Sequence, residues 1–223
     1  MKITQFIKQL NGTEVGEGNT NDSYVAVPSN IAVDLAEILP TDEPLELTDV
    51  TNGKIYKQEH NIRLQETNQN SQYRIAGLGQ FFTDNNTTPG DRFLLEIHDD
   101  GKKQKLLIGL YHRPDVIVLQ KLVSKGVDGM IILNKDRFEE RATGRILKEK
   151  LYADGNLSNI EVHYLYSSKK KENSKDETDI YDLQLDGASI LDLYKHDEYV
   201  EIDLHEMTFR SVIRWQKNTL KIK

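Results

Sequence analysis

The sequence has no cysteine, little proline and no long apolar run. Of its 223 residues none is Cys, five are Pro and 37% are hydrophobic. The absence of cysteine excludes a disulfide framework, a thiolate metal site and a cysteine nucleophile, and it fits a reducing compartment. Since no stretch is apolar enough for a signal peptide or a membrane span, we expect a soluble, cytoplasmic protein.

Catalytic signatures are also missing. The sequence contains no GxxxxGKS/T phosphate loop, no GxSxG and no HExxH, which are short motifs of nucleotide hydrolysis, serine catalysis and zinc proteolysis. The six histidines stand singly, without the paired spacing of a metal site. We therefore expect no cofactor and no metal, and we expect the chain itself not to be an enzyme.

A basic balance is lacking as well. The formal net charge is −7, whereas nucleic-acid-binding proteins gain much of their affinity from Lys and Arg side chains at phosphates. A DNA site on this chain is therefore expected to be a local feature of an acidic protein, with an affinity that is modest and strongly dependent on salt.

What the sequence does contain is two long polar loops. The stretch LNGTEVGEGNTNDSYVAVPSN (10–30) places about a dozen Gly, Asn, Thr and Asp residues between two strand-like segments, and ETNQNSQ precedes YRIAGLGQFF. A hairpin needs only two to five loop residues. A loop as long as the first is therefore either disordered or shaped for a partner.

The first half of the sequence predicts short strands with one or two short helices. KITQFIKQL and YVAVP are strand-like, and PGDRFLLEI and KQKLLIGLY are predicted to form a hairpin across DDGKK. SNIAVDLAEIL has apolar residues at helical spacing after a Ser or Asn cap and is predicted to end at Pro40.

Beyond about residue 114 the pattern is mixed. DVIVLQKLVSKG and ASILDLYKH are predicted as helices, and NKDRFEERATGRILKEKL as a charged amphipathic helix of roughly four turns. NIEVHYLYSS, YDLQL and EYVEIDLHE are predicted as strands, and SSKKKENSKDETD as a solvated loop. We expect a mainly β domain over residues 1–135 and a smaller α+β region over residues 136–223.

One segment loosely matches the acid … acid-x-lysine arrangement of metal-dependent endonucleases. In PGDRFLLEIHDDGKK the matching residues are Asp91, Asp100 and Lys102. That chemistry needs two carboxylates that hold a divalent ion and a lysine that orients the attacking water. A hairpin with DDGK as its turn explains the same residues without catalysis, so the endonuclease is kept as an alternative.

Three stretches, in this order, resemble a known family. KQLNGTEVGEGNTNDSYVAVPSN, NIRLQETNQNSQYRIAGLGQFF and TTPGDRFLLEI together resemble the B3-like DNA-binding (effector) domain of restriction endonucleases, of the EcoRII N-terminal and LlaJI type, whose fold plant B3 factors share. The matching features are a Gly/Thr/Asn-rich insertion that ends in VAVP, the run YRIAGLG, and a Gly-Asp pair that opens the next strand. The resemblance covers about residues 1–113.

The resemblance implies a mainly β fold, a seven-stranded open pseudobarrel with two short helices, followed here by the smaller α+β region. In that family two loops, the N-arm and the C-arm, grip the major groove of DNA. Carried over, the N-arm is residues 11–24 and the C-arm is residues 63–74. The long first loop would then be the part that reads DNA. Its acidic residues, Glu14, Glu17 and Asp22, depart from the more basic arms of the family.

The side chains of both arms suit base recognition. Asn and Gln pair with adenine, Glu accepts from cytosine and Arg reads guanine, while Thr and Lys contact phosphates. The predicted DNA-binding residues are Lys8, Asn11, Thr13, Glu14, Asn19, Thr20, Asn21, Lys54, Lys57, Arg63, Gln65, Glu66, Thr67, Asn68, Gln69, Asn70, Gln72 and Arg74. Alternatively, Tyr73 and Arg74 are structural, with the ring in the core and the guanidinium on a backbone carbonyl.

These features predict a sequence-specific, double-stranded DNA-binding domain of a restriction-modification system. The resemblance implies a GTP-hydrolysing motor domain and a nuclease subunit of the same system as partners. Since neither is found in this sequence, we expect it to be part of a longer polypeptide, in which residues 136–223 lead to them. A second alternative is a β-rich protein-interaction module whose loops bind a protein.

Overall fold

The structure, a computed structural model, describes residues 1–16, 23–38, 46–57, 64–66, 73–124, 126–169 and 177–221. The chain divides into two compact units, each with a hydrophobic core of its own. Unit 1 comprises Met1–His112 and Trp215–Lys223, and unit 2 comprises Arg113–Arg214. The division thus falls near residue 113 and not at the predicted residue 135, and the last strand of the chain belongs to the first unit.

Both units consist mainly of strands, which confirms the predicted fold class. The described strands are β1 (Lys2–Gln9), β2 (Val25–Val27), β3 (Glu46–Asp49), β4 (Ile55–Lys57), β5 (Leu64–Glu66), β6 (Tyr73–Ile75), β7 (Arg92–Asp99), β8 (Gln104–Tyr111), β9 (Val116–Ser124), β10 (Val127–Ile132), β11 (Ile146–Ala153), β12 (Asn156–Lys169), β13 (Glu177–Leu185), β14 (Ala188–Ser189), β15 (Tyr199–Asp203), β16 (Thr208–Val212) and β17 (Trp215–Lys221). The described helices are α1 (Ser29–Ala36), α2 (Gly79–Asp84), α3 (Lys135–Glu139) and a 3-10 turn over Leu191–Leu193.

Unit 1 contains two sheets and two short helices. Its larger sheet has the strand order β17-β1-β7-β8-β3-β4, and its smaller sheet has the order β2-β6-β5. Its described residues thus form nine strands where the family resemblance implied seven, and the two short helices are as implied. Alternate residues of β1 and β7 face the core, where Phe6 and Phe93 join Leu35 of α1 and Phe81 of α2. The Phe81 and Phe93 rings meet edge to face with centroids 6.3 Å apart.

Unit 2 is a ring of strands. Its sheet has the order β10-β9-β15-β16-β11-β12-β13-β14, and a further pairing of β10 with β13, at Met130 and Tyr181, joins the two sides. Seven strands therefore enclose one core. In it the rings of Phe138, from α3, and Tyr181 pack edge to face with centroids 5.2 Å apart. A ring of this kind leaves few free strand edges. In the described part of the chain, no helix is long and apolar enough to cross a membrane.

Three helices predicted in the second half are wrong. Residues 116–124 form β9, whose first four side chains are all buried, so its continuous apolar run marks a strand covered on both faces and not a helix. The predicted four-turn helix is only α3, followed by β11, where buried Leu147 and Leu151 alternate with exposed Lys148, Lys150 and Tyr152. ASILDLYKH contributes β14 and the 3-10 turn.

Candidate nucleic-acid interface

Both predicted arms are attached to the smaller sheet of unit 1. The N-arm leads into β2, and β5 and β6 form the two sides of the C-arm. The register aligns Val25 with Ile75 and Leu64 on one level, and Val27 with Tyr73 and Glu66 on another. By this register the N-arm joins the sheet at the start of β2, at Val25. The chain leaves the sheet for the rest of the C-arm at the end of β5, at Glu66. These levels are two residues apart, about 7 Å along the strands.

A buried carboxylate closes the base of the N-arm. Glu14 is 1% exposed. Its side chain accepts a hydrogen bond from the Asn11 N–H at 3.1 Å on one oxygen and from the Ala26 N–H at 2.7 Å on the other. Its backbone carbonyl accepts a hydrogen bond from the Tyr24 N–H at 3.1 Å. Glu14 thus ties the start of the N-arm to its end.

Lys8 lies inside the protein, beside Glu14. The ammonium of Lys8 forms an ion pair with the Glu14 carboxylate, and Lys8 is 0% exposed. A buried charge is tolerated where it is paired and hydrogen-bonded, and this pair meets that requirement. The position corrects the prediction for these two residues, since neither the expected phosphate contact of Lys8 nor a base contact of Glu14 is open from a buried ion pair.

A tight turn before β7 holds the strand that leads into the N-arm. The Gln9 side-chain amide donates to the Gly90 carbonyl at 2.5 Å, and the Leu10 N–H donates to the Asp91 carbonyl at 2.9 Å. Asp91 is fully buried; its carboxylate accepts from the Thr88 N–H at 2.8 Å and lies 3.0 Å from Nδ1 of His112. The chain is therefore fixed immediately before Asn11.

The single tryptophan fixes the other end of the N-arm. The indole N–H of Trp215, on β17, donates to the Ala26 carbonyl at 3.0 Å, and Trp215 is buried in the unit 1 core. Glu14 binds the N–H of the same alanine. Both polar backbone groups of Ala26 are thus held by side chains from distant parts of the sequence.

Arg74 and Tyr24 form a stack on the smaller sheet. The guanidinium carbon of Arg74 lies 4.1 Å from the centre of the Tyr24 ring, and both residues are half-buried. Arg74 is level with Ala26 in the register. Because side chains alternate along a strand, Arg74 lies on the face opposite Ile75, which is in the core. The Tyr73 ring packs against the unit 1 core, as the structural alternative expected, whereas Arg74 makes no hydrogen bond to a described backbone carbonyl.

Lys54 lies on the surface but is paired. Its ammonium forms an ion pair with Asp84 and lies 4.9 Å from the centre of the Tyr56 ring. Hydrogen bonding from Lys54, with help from the Tyr56 hydroxyl and the Gln80 amide, lowers the pKa of Asp84 to about 2. Burial, together with the hydrogen bond to Asp84, raises the pKa of Tyr56. A phosphate would have to compete with this carboxylate for Lys54.

The remaining predicted contacts fall into two groups. Asn11 lies in the turn at the base of the N-arm, where its side-chain oxygen accepts from the Glu14 N–H at 3.1 Å, and Thr13 is exposed in the same turn. Lys57 ends β4, and Gln65 and Glu66 belong to β5. The other predicted residues lie outside the described residues: Asn19, Thr20, Asn21, Arg63, Thr67, Asn68, Gln69, Asn70 and Gln72.

The endonuclease alternative is not supported by the geometry. Asp91 and Asp100 flank the eight-residue strand β7, so about 30 Å separates them. Asp100 caps the hairpin turn by accepting from the N–H groups of Lys102 and Lys103, both at 2.8 Å, and these backbone hydrogen bonds lower its pKa. Two carboxylates this far apart cannot hold one ion. Within the described residues, no group of three or more His, Asp or Glu side chains is placed to bind a metal.

Sequence reasoning missed the roles of Tyr24 and Trp215, and it misplaced Glu14. For Glu14 a signal was present: Asn11-Gly-Thr-Glu14 has the spacing of a capping box, in which the first side chain and the fourth bind each other's backbone N–H. The structure contains that reciprocal pair, in a turn over residues 12–16. Trp215 carried no such local signal, because its partner is 189 residues away.

Comparison with known proteins gives little. No protein-family model matches the chain, and no curated protein matches it. Among solved structures, an Arabidopsis FUS3-DNA complex is similar to this chain, with 15% sequence identity and a TM-score of 0.36; the match covers 48% of this chain and 94% of that chain. The function proposed below therefore rests on the residues of this chain.

Proposed function

We propose that this protein binds double-stranded DNA in a sequence-specific way and reads the major groove with the N-arm (11–24) and the C-arm (63–74). The observation that carries the proposal is the shared support of the two loops. They are far apart in sequence, yet both are attached to the three-stranded sheet β2-β6-β5, and the N-arm is closed at its base by Glu14.

A fixed base matters because ordering a long loop costs conformational entropy. Each backbone residue that is fixed costs about 1–2 kcal/mol, and binding that orders a loop loses this amount from its affinity. Here the residues on both sides of the N-arm are held before any partner binds. The arms themselves are rich in Asn, Gln and Thr, which are side chains that hydrogen-bond to base edges and phosphates.

The restriction-modification context is the finer part of the proposal. It is supported by the order of the three stretches that resemble the B3-like effector domain of restriction endonucleases. In such a system this chain would select the site, and a GTP-hydrolysing motor and a nuclease subunit would act on the DNA. Copurification of a nuclease subunit encoded beside this protein would support the assignment, and methylation of the selected site by a neighbouring methyltransferase would identify the system.

The test of DNA recognition is selection from a random duplex library at low salt without magnesium. We expect one short motif to be enriched, and we expect the Asn21→Ala, Arg63→Ala double variant to lose it. A Gln104→Ala, Lys105→Ala double variant is the matched control, because it removes an amide and a cation from the exposed start of strand β8 in the same unit. Affinity should fall as salt rises, because each phosphate contact made by a Lys or Arg side chain releases counterions.

Three outcomes would overturn the proposal. If no duplex is retained even at low salt, the negative net charge of the protein prevents DNA binding. Binding of a protein partner by the loops then becomes the leading function. If duplex is retained without enrichment of a motif, the chain binds DNA without reading it. Loss of the motif in the β8 control would place the reading surface outside the arms.

A further inference from the structure

The Arg74–Tyr24 stack connects the two arms at one point. Tyr24 is the last residue of the N-arm, and Arg74 is the last residue of the C-arm. The guanidinium lies 4.1 Å from the ring centre, within the range where an arginine is attracted to an aromatic face. A cation held over a ring loses the free rotation that an exposed arginine has in solvent.

The surroundings of Arg74 leave one edge of its guanidinium for a ligand. Nε is buried and has no hydrogen-bond partner among the described residues. The two terminal nitrogens are not buried in this way, and no hydrogen bond or ion pair holds them within the described part of the chain. No described carboxylate neutralises Arg74, in contrast to Lys8 and Lys54, which each have an acidic partner.

A planar fork of fixed orientation suits the major-groove edge of guanine. Guanine presents O6 and N7 side by side in the major groove, and arginine binds both at once. This contact requires the guanidinium to lie close to the plane of the base, which a stack on a ring can set in advance. A phosphate also accepts the arginine fork, but it carries no sequence information, so the response of individual guanines separates the two ligands.

We propose that Arg74 reads a guanine in the target site and that Tyr24 is its positioning residue, which holds the guanidinium in the plane that the base edge requires. The proposal rests on the DNA-binding function proposed above. It gives Tyr24 a role in specificity although its ring need not touch the DNA.

The experiment uses the full chain and the motif from the library selection. Affinities are measured for every single-base variant of that motif and for duplexes in which each guanine in turn is replaced by 7-deazaguanine, which lacks N7. Three variants are compared with the natural protein: Arg74→Lys keeps the charge and loses the fork, Tyr24→Leu removes the ring, and Tyr24→Phe keeps it.

For the natural protein we expect 7-deazaguanine to lower affinity about tenfold at one guanine. Arg74→Lys should lower affinity for the motif by about the same factor and should no longer respond to 7-deazaguanine at that position. Tyr24→Leu should lose most of the discrimination at the same position and keep it elsewhere, whereas Tyr24→Phe should behave like the natural protein. If Tyr24→Leu does not fold, as judged by the fluorescence of Trp215, Tyr24→Met takes its place.

Three results would overturn this inference while leaving DNA recognition intact. The first is a selected motif in which no guanine responds to replacement by 7-deazaguanine. The second is that Arg74→Lys weakens binding equally at all positions and lowers the salt dependence, which is the behaviour of a phosphate contact. The third is that Tyr24→Leu changes the discrimination at no position selectively. If no motif is selected at all, it is the proposed function that fails.

Discussion

At the scale of single residues, unit 1 uses buried charge to hold loop bases. Lys8 and Glu14 are both almost fully buried and form an ion pair, and the carboxylate also binds two backbone N–H groups. Buried Asp91 has a similar role in the turn before β7, where its carboxylate accepts a hydrogen bond from the Thr88 N–H. In each case a side chain satisfies backbone groups that no strand pairing reaches, which is the usual requirement for buried polar groups.

Glu14→Gln should destabilise unit 1 strongly. The change keeps the shape of the side chain but leaves the Lys8 ammonium buried without a negative partner, a loss that typically costs about 3–5 kcal/mol. The free energy of unfolding in urea, followed by tryptophan fluorescence, measures the effect. Glu37→Gln is the control, because Glu37 is exposed at the end of α1. Equal stability of both variants would mean that Lys8 and Glu14 do not form the pair in solution.

Asp84 gives unit 1 a dependence on acid pH. Its pKa is lowered to about 2 by hydrogen bonding from Lys54, below the ordinary aspartate value near 4. A lowered pKa in the folded state adds stability above the ordinary value, and this contribution is lost as the pH falls from about 4 through about 2. The natural protein should therefore exceed Asp84→Asn in stability at neutral pH, and the difference should shrink toward pH 2.

Carboxyl titration by NMR provides the direct check on Asp84. Its midpoint should lie near pH 2 in the natural protein and return toward 4 in Lys54→Met, because Lys54 is the largest cause of the shift. A midpoint near 4 in both proteins would contradict the ion pair and would leave Lys54 free to contact a phosphate.

At the scale of elements, strands with clear alternation were predictable and the ring of unit 2 was not. The segments of β1, β7 and β8 alternate or lie beside a turn signal, so the sequence predicted them. β9 begins with Val-Ile-Val-Leu, a run whose periodicity cannot separate a buried helix from a strand buried on both faces. In the structure Ile117 and Leu119 lie in the unit 2 core, and Val116 and Val118 lie in a second cluster with Tyr199. This burial on both faces is a property of the tertiary fold.

Gly129 should be required where the ring of unit 2 closes. A Cβ atom added there would collide with the Cγ2 atom of Ile180 and lie 3.0 Å from the Tyr181 carbonyl oxygen. Gly129→Ala should therefore cost about 1–3 kcal/mol, as overpacking of a filled interior does. Gly79→Ala is the control, because its nearest neighbour, Ser23, is 3.9 Å away. Thermal unfolding by far-UV circular dichroism compares them, and equal melting temperatures would argue against close approach of β10 and β13.

At the scale of the whole molecule, the chain leaves unit 1 after His112 and returns at Trp215. The returning strand β17 pairs with β1 over seven residues, from Lys2 with Lys221 to Lys8 with Trp215. It also places the indole against Ala26 at the end of the N-arm. The final strand of the sequence is therefore part of the support of the first loop.

A chain that ends at Arg214 should lose stability in unit 1 and not in unit 2. Removal of β17 leaves β1 without one neighbour and leaves the Ala26 carbonyl without its donor. Hydrogen exchange measured by mass spectrometry should be faster in Lys2–Gln9 and unchanged in β11 and β12. A chain that ends at Lys221 is the control and should exchange like the full chain. Faster exchange confined to unit 2 would show that the division into units is different.

The sequence by itself determined the mainly β class, the helix α1, the hairpin β7–β8 and the presence of two polar loops. These depend on local periodicity and turn residues, which act between near neighbours. The predicted Ser or Asn cap is wrong, because α1 begins after Pro28 without a side-chain cap. Only the tertiary structure decided that Lys8 is buried, that Arg74 stacks on Tyr24 and that Trp215 returns to Ala26. The last two contacts join residues that are distant in sequence. Whether a lysine or arginine is a free cation or a paired one depends on which side chains the fold places beside it.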